Sequence, residues 1–193
     1  MEHDQAIRAF LAIDLPHEIR NEIAQIQNRL KNDLRGLIRW VRPEGIHLTL
    51  KFFGDIKGND METVSRVMEN QAGRINPLRF GIKNLGVFPD LKRPRVLWLG
   101  IDGDVESLIA FQKAMDRELY AHGFPIEDRP FRPHLTLARI REPKGLMGIA
   151  KLMENRDGYT AGCFDAAEII LFRSQLMPQG AVYTKLACFP FGG

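Results

Sequence analysis

The tetrapeptide His-Leu-Thr-Leu occurs twice in this chain of 193 residues, at positions 47–50 and 134–137. Residues i and i+2 of a β-strand lie on the same face of the strand. Each copy therefore directs one imidazole and one hydroxyl to one side and two leucines to the other. Two such strands facing each other would bring two histidines and two threonines into one pocket. The repeat predicts a fold with a pair of related strands at its centre.

The segments around the two copies repeat the same order of predicted elements. Residues 7–14 and 95–102 both have the pattern of a buried strand, and both end in Ile-Asp. This order indicates an internal duplication of a β-α-β-α-β-β unit, with lobes of about 7–94 and 95–189 in a single domain over 1–193. We expect an α+β fold with mainly antiparallel sheets facing a central cleft and helices outside. The pattern leaves an exchange of strands between the lobes open.

Hydrophobic periodicity and turn residues predict four helices and seven strands. The first helix begins at Pro16, which suits a first helical turn, and ends at Gly36. The other helices are predicted over about 61–73, 104–121 and 145–154, and the strands over 7–14, 46–53, 78–88, 94–101, 134–140, 163–172 and 181–189.

Alternation along the first predicted strand separates two sets of side chains. Ala9, Leu11 and Ile13 should pack under the helices, and Phe10 should face the cleft. The repeat treats Trp98 in the same way, so Phe10 and Trp98 are candidates for stacking on a base. The alternative is that both rings fill the floor between the lobes.

The residues that follow the two tetrapeptides are also sorted by alternation. Lys51 and Phe53 should share the face of the first histidine, while Phe52 should point to the core. In the second copy, Arg139 falls on the face away from the pocket unless a β-bulge, a strand end or its long side chain brings it in.

The composition is that of an ordinary globular protein, with 45% hydrophobic residues. The net charge of +3 permits a nucleic-acid partner without requiring one. No run approaches the 18 or more apolar residues of a membrane span, and residues 1–5 are polar, without the h-region of a signal peptide. We therefore expect a cytoplasmic protein without membrane contact. Cys163 and Cys188 lie in apolar runs and lack CxxC spacing, which predicts buried free thiols.

Two histidines and two threonines in one pocket suit acid–base chemistry at a phosphodiester. One neutral imidazole can take a proton from the attacking oxygen while a protonated one gives a proton to the leaving oxygen, because the histidine pKa of about 6.5 lies near working pH. The hydroxyls would donate to phosphate oxygens, and an arginine would neutralise the phosphate charge. Such a site needs no metal and no cofactor.

Three other interpretations of the motif have less support. A single His-x-Thr is most often structural, but two matched copies in duplicated units favour a site. Zinc sites use three or four ligands, and no Asp, Glu or Cys recurs with the motif at suitable spacing. A serine nucleophile is disfavoured because the chain contains no Gly-x-Ser-x-Gly.

These features resemble the RNA 2′,3′-cyclic phosphodiesterases, once called 2′-5′ RNA ligases, which form the LigT/ThpR-like group of the two-histidine phosphoesterase superfamily. That superfamily is defined by paired His-x-Thr/Ser-x motifs, and the likeness covers almost the whole chain. The segments that carry it are 8–16 (RAFLAIDLP), 40–43 (WVRP), 53–54 (FG), 95–98 (RVLW), 131–139 (FRPHLTLAR) and Gly180 with Tyr183.

The resemblance implies hydrolysis of a terminal RNA 2′,3′-cyclic phosphate to a 2′-phosphate, without a metal, in a central cleft. It implies that His47 is the proton donor and that His134 is the proton acceptor that activates water. The same site run backward would join RNA ends through a 2′-5′ linkage. By position, Thr49, Thr136 and Arg139 would bind the phosphate, and Phe10 would contact the terminal nucleoside.

Two alternative functions stay open at this point. One is an esterase that acts on a small nucleotide cyclic phosphate, and the other is a non-catalytic module that binds RNA ends, which the intact motifs disfavour. The expected partner is RNA with a 2′,3′-cyclic phosphate end, tRNA fragments included, or a nucleotide, and we expect a monomer. Candidates for further phosphate contacts are Arg42, Lys51, Arg93 and Arg132.

Overall fold

The computed structural model describes residues 6–127, 129–178 and 180–192. The strands are β1 (Ile7–Ile13), β2 (Ile38–Trp40), β3 (Leu48–Ile56), β4 (Leu78–Phe88), β5 (Val96–Gly103), β6 (His134–Ile140), β7 (Thr160–Ala166), β8 (Glu168–Met177) and β9 (Gly180–Pro190). The helices are α1 (His17–Asp33), α2 (Gly58–Ala72), α3 (Val105–Ala121) and α4 (Ile149–Glu154).

The predicted elements differ from the observed ones in the number of strands and in some bounds. Helix α1 ends at Asp33 and not at Gly36, and α4 begins at Ile149 and not near residue 145. The short strand β2 was not predicted, because three residues are too few to establish a periodicity. The single strand predicted over 163–172 is two strands, β7 and β8, separated at Ala167. A run of apolar residues continues through this break, so hydrophobicity alone does not reveal it.

The strands form one antiparallel sheet in which eight strands follow the order β7-β4-β5-β6-β3-β1-β8-β9, with β2 pairing with β6 beside this row. The fold is α+β, as predicted. The sheet mixes strands from the two halves of the sequence. β4 lies between β7 and β5, and β8 lies between β1 and β9. Each side of the β6–β3 junction is therefore built from both halves of the chain.

The helices cover one face of this sheet. Along α1, the buried residues Ile19, Ile23, Ile26 and Leu30 recur at helical spacing. They share one large core with Ala9, Leu11 and Ile13 of β1, whereas Phe10 belongs to a separate small cluster on the other face. The predicted sorting of β1 is confirmed. Among the described helices, none has the length and apolar character needed to cross a membrane.

The two cysteines lie on the outer strands of the sheet. Both Cys163 in β7 and Cys188 in β9 are free, as predicted, but both are exposed. The predicted burial was therefore wrong. β7 and β9 end the row of strands, so an apolar strand pattern there does not guarantee that both faces are covered.

Candidate active site

The two copies of His-Leu-Thr-Leu meet at the centre of the sheet. The strands that carry them, β3 and β6, pair only at Leu48 and Leu135. In an antiparallel pair, this register sets His47 opposite Thr136 and His134 opposite Thr49. The four polar side chains therefore share the face opposite the leucines, as the repeat predicts.

Burial agrees with this sorting. All four leucines of the two copies are at most 3% exposed, and both histidines and both threonines are partly exposed. Neither threonine hydroxyl forms a hydrogen bond to another described residue. Both hydroxyls are therefore free to donate to a ligand.

Each imidazole is held by the backbone two residues before it. His134 Nδ1 lies 2.7 Å from the carbonyl oxygen of Arg132, and the ring of His47 makes the corresponding bond to the backbone of Gly45. When Nδ1–H donates to a carbonyl, the neutral ring keeps its lone pair on Nε2. This device orients both rings without using the side chains at positions 45 and 132.

His47 is enclosed by aromatic rings. Phe10 stacks on it with a centroid distance of 4.7 Å, and Tyr183 meets its edge at 5.1 Å. Burial lowers the pKa of His47 from 6.5 to about 4, although the Gly45 hydrogen bond and the charge of Asp14 act in the opposite direction. In the ligand-free protein, His47 is therefore neutral at pH 7.

His134 has a different surrounding. Phe88 meets its edge at 5.0 Å, and Trp98 lies at 6.4 Å. Burial lowers the pKa of this ring as well, the hydrogen bond to Arg132 raises it, and the positive charge of Arg139 lowers it. Three rings surround His47, and two lie beside His134. Charges act on both imidazoles, those of Asp14 and Arg20 on His47 and that of Arg139 on His134.

A β-bulge follows the threonine in each copy. Leu50 is the extra residue in β3, because Thr49 pairs with Ala12 and Lys51 with Leu11. Leu137 is the extra residue in β6. Each bulge reverses the alternation of the residues that follow.

The bulges correct three predicted orientations. Arg139 shares the face of His134, which strict alternation would forbid, and Phe52 takes the equivalent place in the first copy. Lys51 points to the helices and is 2% exposed, so it is not a phosphate contact. Phe53 also packs on the helix side, 5.3 Å from the ring of Phe124.

A helix from the opposite half of the chain supports each bulge. Gln27 of α1 donates through Nε2 to the carbonyl oxygens of Leu137 and Val41, at 3.0 and 2.8 Å. Lys51 Nζ donates to Asp116 Oδ1 of α3 at 2.7 Å. The helix of the first half thus holds β6, and the helix of the second half holds β3.

Phe10 lies behind His47 and not beside an open cleft. It is 1% exposed, and Phe172 stacks on it at 5.3 Å in addition to His47. Its two neighbours cover the ring, so this geometry does not favour the predicted contact with a nucleoside. Phe52 is the exposed ring nearby, at 54%, with its centroid 5.6 Å from that of Phe10.

Trp98 is not the structural equivalent of Phe10 that the repeat predicted. It lies opposite Thr136, whereas Ala12 lies opposite Thr49. Trp98 therefore takes the place of Ala12 and not of Phe10. Its indole contacts Phe88 at 5.0 Å and lies against Gly86, where a Cβ would come within 2.0 Å of the ring. Trp98 forms the wall beside His134, in agreement with the alternative of a structural ring.

A groove of about 750 Å³ lies beside this pocket. Gly45 and Tyr183, which contact His47, line it, whereas the two histidines and two threonines of the motifs do not. We call it the arginine groove. Its lining includes four arginines together with Phe52 and Tyr183: Arg8, Arg39, Arg42 and Arg139. Arg42 was a sequence candidate for a phosphate contact, whereas Arg39 was missed because β2 was not predicted. Arg93 lies in the exposed loop before β5, and the exposed Arg132 contributes its carbonyl to His134.

The chemistry of the site follows from these groups. Two imidazoles with free Nε2 atoms, two unpaired hydroxyls and a guanidinium group face one space, which suits proton transfer at a bound phosphate. Within the described residues, no group of three or more His, Cys, Asp or Glu side chains is placed to hold a metal ion.

Comparison with known sequences finds the same pattern in both halves of the chain. The family model described as LigT like Phosphoesterase matches residues 13–98 and again residues 99–183. The RNA 2′,3′-cyclic phosphodiesterase of Methanothermobacter thermautotrophicus is 34% identical over 95% of this chain and 98% of that protein. The protein of the same name from Aquifex aeolicus is 33% identical over 98% of this chain and 100% of that protein.

Solved structures give the same fold. The crystal structure of TT0787 of Thermus thermophilus superposes with a TM-score of 0.78 and 27% identity, and covers 97% of this chain and 99% of that chain. Escherichia coli LigT complexed with 3′-AMP has a TM-score of 0.76 and 26% identity, with coverage of 97% and 99%.

Proposed function

Because the chain belongs to the LigT-like phosphoesterase family, we propose that it hydrolyses the terminal 2′,3′-cyclic phosphate of RNA to a 2′-phosphate. The observation that carries this proposal is the pairing of Leu48 with Leu135, which brings both histidines and both threonines to one face. The names of the relatives at 33% and 34% identity support the same substrate.

In the proposed reaction, the two imidazoles have opposite tasks. His134 takes a proton from water through Nε2, and the water oxygen bonds to phosphorus. The bond from phosphorus to O3′ breaks, and His47 gives its proton to O3′. The product carries a 2′-phosphate and a free 3′-hydroxyl. No metal takes part in these steps. If the 5′-hydroxyl of a second RNA end takes the place of water, the oxygen that bonds to phosphorus is O5′, O3′ again leaves with the proton from His47, and the product is a 2′-5′ linkage.

The phosphate is proposed to be held by three further side chains. The hydroxyls of Thr49 and Thr136 donate to its non-bridging oxygens, whose charge grows in the transition state. Arg139, on the same face after its bulge, adds a charged and directional contact. Phe52 is the better candidate for nucleoside contact, because its ring is exposed beside this position.

The low pKa of His47 has to be reconciled with its role as donor. A neutral ring cannot give a proton, and burial keeps the ring neutral at pH 7. A bound phosphate brings a negative charge close to the ring, and a nearby negative charge raises a histidine pKa. We infer that His47 becomes charged only with substrate in place.

The decisive experiment is turnover of an oligonucleotide that ends in a 2′,3′-cyclic phosphate, measured in EDTA. We expect turnover by the wild type and none by the His47→Ala/His134→Ala double variant. Loss of turnover in EDTA would point to a metal, and turnover by the double variant would refute the catalytic assignment. A non-catalytic RNA-end module would bind this oligonucleotide without turnover, and mapping of the phosphate to O2′ or O3′ tests which bond breaks.

Three accompanying expectations complete the proposal. The whole of 1–193 acts as one domain, since the described strands form one sheet. The compartment is the cytoplasm, which agrees with two exposed cysteines that stay unpaired. The working form is a monomer, and light scattering tests this expectation.

A further inference from the structure

Two arginines of the arginine groove face each other across a pair of strands. Arg39 of β2 is the direct partner of Arg139 of β6. Directly opposite residues of an antiparallel pair share a face with Cβ atoms about 4.5–5.5 Å apart, and like charges in these positions repel. No described carboxylate forms an ion pair with either arginine. Glu44 also lines the groove but is paired with neither arginine, so the two positive charges are not neutralised by a direct ion pair.

Other groups converge on the same place. A Cβ built on Gly180 would lie 3.6 Å from Arg39 Nη2 and 3.9 Å from Arg42 Nη2. Arg42 Nη2 also donates to the carbonyl oxygen of Ala181, at 3.5 Å. Burial raises the pKa of Tyr183, while the charges of Arg139 and Arg39 lower it, so this phenol lies within their field. The first residues of β9 therefore border a cluster of three arginines, formed by Arg39, Arg42 and Arg139.

We propose that Arg39 and Arg42 form a second phosphate subsite, which binds the phosphate on the 5′ oxygen of the terminal nucleoside. This inference rests on the proposed function. In an RNA strand that ends in a 2′,3′-cyclic phosphate, O2′ and O3′ are both used by the terminal phosphate. The next phosphate can only be attached through O5′.

The order of the groups across the sheet agrees with this assignment. Thr136 and Arg139 pair with Trp98 and Val96, two residues apart on β5, which corresponds to about 7 Å along the strand. Arg39 lies one strand further. Arg139 thus lies between the histidine pocket and the second subsite, and a nucleoside that spans them passes beside the exposed ring of Phe52.

The consequence is a preference for strands over cyclic mononucleotides. A nucleoside 2′,3′-cyclic phosphate fills only the histidine pocket, whereas a dinucleotide also supplies the 5′ phosphate. The shared chemistry is a phosphate ester on O5′, which occurs both within an RNA strand and on a free 5′-phosphorylated nucleotide. The test therefore includes both forms.

The experiment compares kcat/KM for three substrates: adenosine 2′,3′-cyclic phosphate, the same compound with a 5′-phosphate, and a diadenosine dinucleotide with a 2′,3′-cyclic phosphate end. We expect Arg39→Gln to lower the ratio of the dinucleotide value to the mononucleotide value roughly tenfold, since charged hydrogen bonds to phosphate are strong. Arg39→Lys keeps the charge and should lower the ratio less. Arg66→Gln, on the exposed side of α2, makes the same change of charge elsewhere and should leave the ratio as it is.

Salt gives a second readout. The logarithm of kcat/KM for the dinucleotide should fall more steeply with the logarithm of salt concentration than that for the mononucleotide, by about 0.7 per additional phosphate contact. Arg39→Gln should remove this difference. Turnover of the mononucleotide by each variant shows that the protein is folded.

The outcomes separate this inference from the proposed function. An advantage of the 5′-phosphorylated mononucleotide that disappears in Arg39→Gln supports a site for the phosphate itself. A dinucleotide advantage that survives Arg39→Gln, or an advantage that needs the second nucleoside and not the phosphate, overturns the inference. If the wild type turns over none of the three substrates, it is the proposed function that fails.

Discussion

The two copies of His-Leu-Thr-Leu have the same sequence, the same bulge after the threonine and the same type of hydrogen bond from backbone to imidazole, but their surroundings differ. Phe10, Phe172 and Tyr183 enclose His47, whereas His134 lies beside Phe88 and near the charge of Arg139. The tetrapeptide thus sets the local geometry, and residues outside it set the electrostatics. An asymmetric reaction can therefore run in a nearly symmetric frame.

Substitution of either histidine should reduce kcat more than any other change, and a second substrate distinguishes the proton donor from the acceptor. His47→Ala and His134→Ala should each lower kcat on an RNA cyclic phosphate by about 10²–10⁴-fold. On a nucleotide p-nitrophenyl phosphodiester, whose leaving group needs no proton, His47→Ala should lose far less and His134→Ala should stay slow. Steady-state rates on both substrates measure this difference. If His134→Ala is the variant that recovers, the donor and the acceptor are exchanged.

The contacts that support the two bulges differ in charge: Lys51 forms an ion pair with Asp116, whereas Gln27 is neutral. A substitution of Lys51 tests the charged contact. Lys51→Met leaves the buried carboxylate of Asp116 without its cation, which should lower the free energy of unfolding by about 3–5 kcal/mol. Urea denaturation followed by circular dichroism measures the loss. The double variant Lys51→Met/Asp116→Leu removes both charges and should recover much of it. Equal instability of the single and double variants would contradict a role for the unpaired charge.

The pH dependence of the free energy of unfolding tests the burial of His47. The pKa of His47 is about 4 in the folded protein and near 6.5 when unfolded, so the unfolded state binds more protons between these values. The contribution of His47 to the free energy of unfolding is therefore complete above pH 6.5. It falls by about 3 kcal/mol as the pH decreases toward 4.

Urea denaturation between pH 4 and 7 should therefore show a flatter pH profile for His47→Gln than for the wild type. His134→Gln should flatten it as well, because burial lowers the pKa of that ring in the same direction. A His47→Gln profile parallel to that of the wild type would contradict burial as the cause of the low His47 pKa.

A smaller loss is expected at Gln27, the uncharged side chain that supports the bulge at Leu137. Gln27→Leu removes two buried hydrogen bonds to backbone carbonyls and should cost about 2 kcal/mol of stability. It should also lower kcat/KM on RNA ends, because the bulge at Leu137 sets the direction of Arg139. Gln25→Leu, on the exposed side of α1, is the matched control.

A double-mutant cycle distinguishes positioning from simple destabilisation. In an Arg139→Ala background, Gln27→Leu should lower stability as before but have little further effect on kcat/KM, because the side chain that it positions is gone. Additive losses of activity would show that Gln27 acts on the site by another route.

Much of the fold was predictable because its elements carry strong periodicity. The first helix has apolar residues at helical spacing from Ile19 to Leu30, and β1 alternates between the helix side and the cleft. β2 was missed because its three residues establish no period. The exposure of Cys163 and Cys188 was missed because a sequence does not show which strands end the row.

The candidate site was predictable up to the threonine of each copy and less so beyond it. The bulges at Leu50 and Leu137 have no signature of their own, since leucine suits either a regular or a bulged position. Lys51, Phe52 and Phe53 were therefore assigned to the wrong faces. Arg39 is a charged residue in an apolar run just before the first motif, which is a weak sequence indication of a functional role. Its place in the site follows only from its pairing with Arg139.

The exchange of strands between the two halves has a consequence for synthesis on the ribosome. Strands β1 and β3 emerge early, but β8 and β9, which complete that side of the sheet, are made long after them. Until then, the edge of β1 that later pairs with β8 is unoccupied, and Phe172 and Tyr183 have not yet joined the rings around His47. The nascent chain therefore exposes an unpaired strand edge of the kind that chaperones protect from aggregation. It acquires a complete His47 pocket only when the β8–β9 hairpin docks.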